Sequence, residues 1–261
     1  MANKRRARSR RLPVRIIPRE DWGTALEVGG VTQSVSVPDV SLGAPPGSTG
    51  ADDEPRPGPG GGYWGLLLPP GCPRRTLLLG LGGGTVAHLL ARRCPDVAIV
   101  GVEHDAEVLA VARSNFGLDE VPGLRTVEAN AFEWVATQCT AEPASFDLIC
   151  LDLFEAGRLT LGALATPFLR QVAALLAPEG TLTVNLLVTA RTPDQVRRLL
   201  RVFVVRRELR LRGNLVVHAR LPRPGEWIEQ KEQEDTHVRR RSGRATLGGR
   251  GSSREERAAA G

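Results

Sequence analysis

Short apolar runs alternate along the chain with segments whose apolar residues recur at helical spacing. Five runs have the length of buried strands: Thr76 to Leu79, Ala98 to Val102, Leu124 to Glu128, Phe146 to Leu151 and Thr181 to Leu187. Helical spacing follows at Thr85 to Cys94, Ala106 to Phe116, Phe132 to Cys139, Leu164 to Leu176 and Pro193 to Val204. This alternation predicts an α/β fold, a doubly wound and mostly parallel sheet with helices on both faces.

Weaker patterns flank this alternation. Ala25 to Val37 alternates around Gly29-Gly30 and predicts a β-hairpin, and Glu208 to Leu221 predicts a closing pair of strands around Arg212-Gly213-Asn214. We therefore divide the chain into a basic, disordered tail (1–24), a small β-hairpin (25–40), a mobile Gly/Pro-rich loop (41–62), a Rossmann-like α/β domain (63–222) and a disordered charged tail (223–261).

Glycines separate the first strand from the first helix, in the segment Gly80-Leu81-Gly82-Gly83-Gly84. They let the backbone approach a ligand, and the N-terminus of the next helix would point at it. Glu103 ends the second strand, 23 residues after Gly80, the distance at which a carboxylate reaches both hydroxyls of a ribose. The order of these features predicts a nucleotide-cofactor site at the carboxyl ends of the strands. Glycine spacing alone does not separate dinucleotide from S-adenosyl ligands.

The net charge of +6 raises the question of nucleic acid. Residues 1–12 hold six Lys/Arg and no acid, and residues 223–261 hold nine Lys/Arg against seven acids, so the stretch between them is slightly acidic. The basicity therefore belongs to the tails. We interpret the N-terminal tail as solvated and disordered, with a transit peptide or an RNA-contacting arm as the alternatives.

Cysteine and histidine usage indicates neither a metal site nor a disulfide framework. Cys72, Cys94, Cys139 and Cys150 lack paired metal-ligand spacing and are interpreted as reduced, structural thiols, and the four histidines are scattered. No apolar run approaches the ~20 residues of a membrane span. We expect a cytoplasmic protein without a metal or a membrane association.

Several motifs together resemble the spermidine synthase family, which has the class I S-adenosylmethionine-dependent methyltransferase fold. They are the glycine segment, Val102-Glu103-His104-Asp105, Glu128-Ala129-Asn130-Ala131-Phe132-Glu133 and Phe146 to Asp152. Upstream, Gly30-Val31-Thr32-Gln33 resembles the family's Asp-Gly-Val-x-Gln hairpin, and Tyr63 the Tyr of its Tyr-x-Glu motif. Pro178-Glu179-Gly180-Thr181-Leu182 resembles the turn before the fifth strand, so that the likeness extends over residues 25–222.

The resemblance implies a role for each matching residue. Gly80, Gly82 and Gly84 would face the methionine-derived part of the cofactor, Glu103 its ribose, Asn130 its adenine amino group and Gln33 its thioether end. Asp152 would be the base that takes a proton from an attacking amine, and Tyr63 and Glu155 would contact that amine substrate. The implied activity is aminopropyl transfer from decarboxylated S-adenosylmethionine to a small amine, in polyamine biosynthesis. Homodimers are common in the family.

Three departures from the family pattern leave other functions open. Gly83 replaces an Asp that holds the aminopropyl amine, Trp64-Gly65 stands where a substrate-binding Glu is expected, and Leu153-Phe154 replaces small hydroxyl residues. Without the Asp, discrimination against carboxylated S-adenosylmethionine should weaken. The alternatives are an S-adenosylmethionine-dependent methyltransferase, favoured by Gly83, Gly65 and Asn130, and a non-catalytic binding protein that contacts nucleic acid through its basic tails.

Overall fold

The computed structural model describes residues 12–19, 23–36 and 62–226. The predicted tails lie largely outside this part of the chain, at residues 1–11 and 227–261. The predicted Gly/Pro-rich loop also lies outside it, apart from Gly62. In the described part, no helix is long and apolar enough to cross a bilayer.

A seven-stranded sheet forms the centre of the fold. Its strands are β4 (Arg75–Leu79), β5 (Ala98–Glu103), β6 (Leu124–Glu128), β7 (Phe146–Leu151), β10 (Leu176–Leu187), β11 (Val204–Leu211) and β12 (Asn214–Arg220). Their order is β11-β12-β10-β7-β4-β5-β6. Strands β10, β7, β4, β5 and β6 are parallel, whereas β12 and β11 close the sheet antiparallel. The prediction of a mostly parallel sheet with a closing pair of strands is confirmed.

Within the described residues, five helices cover both faces of this sheet. They are α1 (Thr85–Arg93), α2 (Ala106–Phe116), α3 (Ala131–Ala141), α4 (Thr166–Leu175) and α5 (Thr192–Leu199). One apolar core joins the sheet to α3, α4 and α5, and a second joins it to α1, α2 and the 3-10 helix Tyr63–Leu67. The strands between the two cores are nearly continuous in apolar residues because both of their faces are buried.

A separate three-stranded antiparallel sheet precedes the main one. It contains β1 (Val14–Arg19), β2 (Gly23–Val28) and β3 (Val31–Val35). The predicted hairpin corresponds to β2 and β3, but β1 lies in the segment that we assigned to the disordered tail. That segment forms a strand because it pairs with β2 along its whole length, a partner that its own exposed, Arg-containing pattern does not indicate.

The disulfide Cys72–Cys94 contradicts the prediction that all four cysteines are reduced. The two residues are 22 positions apart, one before β4 and one at the end of α1, and the return of α1 along the sheet brings their Cα atoms to 5.5 Å. The two cysteines come close only in the folded chain, and their spacing in the sequence does not reveal it. Cys139 and Cys150 are free thiols, and burial raises the pKa of the Cys150 thiol to about 12.

Two smaller differences concern the elements after β7. A short hairpin of β8 (Phe154–Glu155) and β9 (Arg158–Leu159) occupies a segment without a predicted element. Helix α5 ends at Leu199, five residues earlier than predicted, because Val202 and Phe203 turn into the core ahead of β11. The β8–β9 hairpin matters for function, because it directs Phe154 and Glu155 toward the carboxyl ends of the strands.

Candidate active site

A cavity of about 320 Å³ opens at the carboxyl ends of β4, β5 and β7. The predicted site residues in its wall are Gln33, Gly80, Gly82, Glu103, Asn130, Asp152 and Glu155. Two further predicted residues contact the site differently. Gly84 is the N-cap of α1, and Tyr63 reaches the site through a hydrogen bond to Asp152. The structure thus brings together side chains that lie up to 122 positions apart in the sequence.

Gly80 follows β4 and packs directly against the backbone of Asp152, which follows the neighbouring strand β7. Its φ is 90°, and a Cβ there would collide with the backbone carbonyl oxygen of Asp152. The turn is held by hydrogen bonds from the amides of Gly80 and Leu81 to the carbonyl of Val102, at 3.0 and 3.2 Å. A side chain at position 80 would push the turn of residues 80–84, the glycine turn, away from Asp152.

Gly83 lies under the N-terminal sheet and has no room for a side chain. Its amide donates to Ser34 Oγ at 2.7 Å, and a Cβ would stand 2.7 Å from Ser34 Cβ and 3.3 Å from Leu26 Cδ2. Thr85 adds a second connection, because its hydroxyl donates to the Val35 carbonyl at 2.8 Å and accepts from the Val35 amide at 2.9 Å. The β2–β3 hairpin therefore occupies the space that an acidic side chain at position 83 would need.

We predict that Gly83→Ala lowers stability by about 1 to 3 kcal/mol, because the new methyl overpacks the contact with Ser34. Thermal unfolding of the variant measures the loss. Gly213→Ala is the control, since a Cβ at Gly213 meets nothing within 4 Å. Equal melting temperatures for the two variants would contradict the tight packing of the hairpin on the glycine turn.

Glu103 is buried at the end of β5, and its carboxylate is held by backbone donors. Oε2 accepts from the Gly82 amide at 3.0 Å, while Oε1 accepts from the amides of His104 and Asp105 at 2.9 and 3.1 Å. Burial opposes the charged form, but these bonds and the His104 side chain outweigh it, and the pKa of Glu103 is lowered. Oε2 retains an acceptor position for a ligand hydroxyl.

His104 lies in the cavity wall beside Glu103, and the sequence analysis gave it no role. Its Nδ1 is 3.0 Å from Glu103 Oε1, and this hydrogen bond raises the pKa of His104. The charges of Asp105 and Glu155 act in the same direction. The raised pKa favours the protonated form of His104 beside the cavity, and its position next to Glu103 was the sequence signal for it.

Asn130 is the N-cap of α3. Its Oδ1 accepts from the amides of Phe132 and Glu133 at 2.9 and 3.4 Å. This arrangement fixes the start of α3 at the cavity wall, beside Ala129 and Phe132. The capping bonds engage the amide oxygen, so the Nδ2 group is the part of the side chain left to donate to a ligand. This arrangement disfavours the predicted contact with an adenine amino group, because both groups are donors.

Asp152 follows β7, and its carboxyl group accepts hydrogen bonds from two uncharged side chains. Tyr63 Oη donates to Oδ2 at 2.8 Å, and Asn185 Nδ2 donates to Oδ1 at 2.9 Å. Burial raises the pKa of Asp152 to about 6, although both hydrogen bonds lower it. Burial and the Asp152 charge in turn raise the pKa of Tyr63 well above 10. A carboxylate with this pKa takes and returns protons near neutral pH.

Asn185 contacts Asp152, and sequence reasoning missed it. It lies in β10, next to β7 in the sheet, and is 2% exposed. The signal was an amide between Val184 and Leu186 in a buried apolar strand, because a buried polar group needs a partner. That partner could not be identified without the order of the strands.

Apolar side chains form the wall around Asp152. Trp64, Leu153 and Phe154 line the cavity there, and Tyr63 stacks on Trp64 with ring centroids 5.0 Å apart. Glu155 is exposed on β8. The part of the site around Asp152 therefore combines the Asp152 carboxyl group, the exposed acid Glu155 and the apolar side chains Trp64, Leu153 and Phe154.

The chain matches a family described as "Methyltransferase domain" over residues 77–180. It is 29% identical over 178 residues to the polyamine aminopropyltransferase of Chromobacterium violaceum, a match that covers 66% of this chain and 67% of that protein. A spermidine synthase in complex with the transition-state analogue AdoDATO superposes with a TM-score of 0.58 at 18% identity, covering 82% of this chain and 71% of the other.

Human methyltransferase-like protein 13, solved in complex with SAH, superposes with a TM-score of 0.53 at 25% identity, over 59% of this chain and 74% of that one. The chain has the class I S-adenosylmethionine-dependent methyltransferase fold. Its sequence resembles the polyamine aminopropyltransferases. In a class I fold, the glycine turn, Glu103 and Asp152 share the strand edge where ligands bind open α/β sheets, and this is the edge that holds the cavity.

Proposed function

We propose that the protein alkylates an amine with an adenosyl sulfonium, using Asp152 as the base. The observation that carries the proposal is the location of Asp152, a carboxyl group with a pKa of about 6, in one cavity with the glycine turn and Glu103. An amine arrives protonated and becomes a nucleophile only after it loses a proton. A base that titrates near neutral pH, next to a sulfonium, meets that requirement.

The cavity fits such a cofactor in size and in donor chemistry. The bare backbone of Gly80 and Gly82 provides close approach for the methionine-derived part, with Gly84 behind it at the start of α1. The acceptor position on Glu103 Oε2 suits a ribose hydroxyl. Asn130 and Phe132 at the start of α3 suit an adenine, and Gln33 of β3 suits the thioether end.

The reaction transfers one proton and one alkyl group. Asp152 takes a proton from the ammonium of the acceptor, and the freed nitrogen lone pair attacks a carbon bonded to the sulfonium. The bond between that carbon and sulfur breaks, its electron pair stays on sulfur, and a neutral thioether leaves. Positioning supplies most of the acceleration, because the sulfonium is already an activated leaving group.

Aminopropyl transfer from decarboxylated S-adenosylmethionine is the first candidate. It is supported by the likeness to the Chromobacterium enzyme and by Gln33, Tyr63 and Asp152, which match that family's pattern. Tyr63 and Glu155 would contact the amine, one beside the base and the other at the cavity mouth. The expected products are 5′-methylthioadenosine and an amine extended by an aminopropyl group, as in polyamine biosynthesis.

Methyl transfer from S-adenosylmethionine is the second candidate, favoured by Gly83. The packing of Ser34 on Gly83 leaves no space for an acid that would repel the cofactor carboxylate. Gly65 likewise supplies no acid for the far amine of a polyamine, and Trp64, Leu153 and Phe154 make the acceptor region apolar. These features suit a carboxylated cofactor and a monoamine or peptide amine.

Calorimetry with the two sulfonium cofactors separates the candidates. We expect both to bind, with a preference for the decarboxylated form of at most about tenfold, because position 83 adds no repulsion against the carboxylate. Product analysis with putrescine should then show 5′-methylthioadenosine. A clear preference for S-adenosylmethionine would replace aminopropyl with methyl transfer, and binding of neither cofactor would refute both.

A further inference from the structure

Asn214 lies one hydrogen bond beyond the side chains that contact Asp152. It is the first residue of β12, after the turn that ends β11, and it faces Leu187 of β10 across the antiparallel pair. Asn185 lies diagonally opposite, at the distance at which side chains on one face of a sheet still interact. Asn214 Nδ2 donates to Asn185 Oδ1 at 2.9 Å.

The amide of Asn185 has one accepting and one donating end, so its orientation decides what Asp152 meets. Asn214 engages the oxygen, and the NH₂ group is therefore the end that turns to Asp152 Oδ1. We propose that Asn214 is a positioning residue that orients the Asn185 amide and thereby sets the proton affinity of Asp152. Only the catalytic use of this proton, in alkyl transfer to an amine, rests on the proposed function.

The chain of bonds from Asn214 to Asp152 accommodates both charge states of the base. With Asp152 ionised, every bond runs in the observed direction. After Asp152 gains a proton on Oδ1, that O–H becomes a donor, and a half-turn of the Asn185 amide presents its oxygen to it. The NH₂ group of Asn185 then donates to Asn214 Oδ1, which requires the Asn214 amide to turn as well. In both states the buried Asn185 amide keeps a partner at each end, and leaving one end unpaired would be costly.

The other titratable groups around Asp152 do not duplicate this control. Tyr63 donates to Oδ2 from the 3-10 helix, and Cys150 stays neutral inside β7 because its pKa is about 12. The remaining ionisable residues of the cavity wall are Glu103, His104 and Glu155. The hydrogen bonds that bear on the pKa of Asp152 come from Asn185 and Tyr63. On the side of the carboxyl group that faces β10, the orientation of the Asn185 amide is therefore what can change the proton affinity of Asp152.

A carboxyl titration by ¹³C NMR tests the proposal in the full-length protein, with Asp152→Asn used to assign the Asp152 signal. Asn214→Asp offers only acceptors, so it should reverse the Asn185 amide and raise the midpoint of Asp152 by about one pH unit or more. Asn214→Ala removes the donor without adding charge and should raise the midpoint by about half a unit. Asn115→Asp, at an exposed position of α2, should leave it unchanged.

Wild-type midpoints in both Asn214 variants would overturn the proposal, and so would a shift in Asn214→Asp alone, since charge would explain it. If Asn214→Asp does not fold, Asn214→Ala decides the question. When turnover is measurable, the acid limb of kcat should move with the midpoint while KM for the amine changes less than about twofold. The titration requires no turnover, so absent activity would refute the proposed function and leave this test valid.

Discussion

Replacing Asp152 by Asn will lower the rate of alkyl transfer by about 10² to 10⁴-fold, the usual contribution of a general base. Cofactor affinity should fall by less than about tenfold, because the amide keeps the size of the side chain and loses only the charge next to the sulfonium. Single-turnover assays measure the chemical step, and calorimetry measures binding. Asp147→Asn is the matched control, since Asp147 lies at the opposite end of β7 and accepts from the amides of Arg74 and Arg75. Equal activity in both variants would exclude Asp152 as the base.

Asp152→Asn should also make the folded protein more stable than wild type at high pH. Burial raises the pKa of Asp152 to about 6 in the folded state, so folded wild-type protein becomes less stable as pH rises from about 4 through 6. Asp152→Asn lacks this penalty and should unfold at a higher temperature at pH 8, by the equivalent of about 2 to 3 kcal/mol at most. The advantage should shrink as pH falls from about 6 to 4 and vanish below about pH 3, where the carboxyl group is protonated in both the folded and the unfolded state. For wild-type protein, the transfer rate should fall as pH drops through 6.

The strand ends could be predicted because parallel strands bring them to one edge. Gly80, Glu103, Asn130 and Asp152 each follow a short apolar run, and no knowledge of strand order was needed to expect them together. The resemblance added Gln33 and Tyr63, which precede the sheet. Tyr63 contacts Asp152 in the structure, and Gln33 lies in the cavity wall. Their chemical roles remain predictions.

What could not be predicted depends on strand order and register. Asn185 bonds to Asp152 because β10 lies beside β7, and Asn214 reaches Asn185 only through the register of β12 on β10. Neither property leaves a trace in hydrophobic periodicity. Ser34 contacts Gly83 across 49 residues because the separate β1–β3 sheet packs on the turn after β4, and hydrophobic periodicity does not indicate that packing either. Polar residues inside apolar strands indicate that a hydrogen-bond partner is required there, but the sequence does not identify that partner.

Glu103→Ala will weaken binding of any adenosyl cofactor by about 10²-fold, because charge-assisted hydrogen bonds to a buried carboxylate are worth about 1.5 to 3 kcal/mol each. Two effects contribute: the ribose loses its acceptor, and the Gly82 amide loses the bond that fixes the glycine turn. Both sulfonium cofactors share the ribose, so calorimetry should show similar losses for each. Asp105→Ala is the control for local disturbance, since it removes the cap of α2 but keeps the Glu103 carboxylate.

A ligand lacking one ribose hydroxyl separates these two effects. Wild-type protein should bind 2′-deoxy or 3′-deoxy forms of 5′-methylthioadenosine more weakly than the parent nucleoside, because an acceptor on Glu103 is left without a donor. In Glu103→Ala the parent and deoxy nucleosides should bind alike, since the acceptor is gone in every case. A deoxy penalty that persists in the variant would show that another residue holds the ribose, and Glu103 would then act only on the glycine turn.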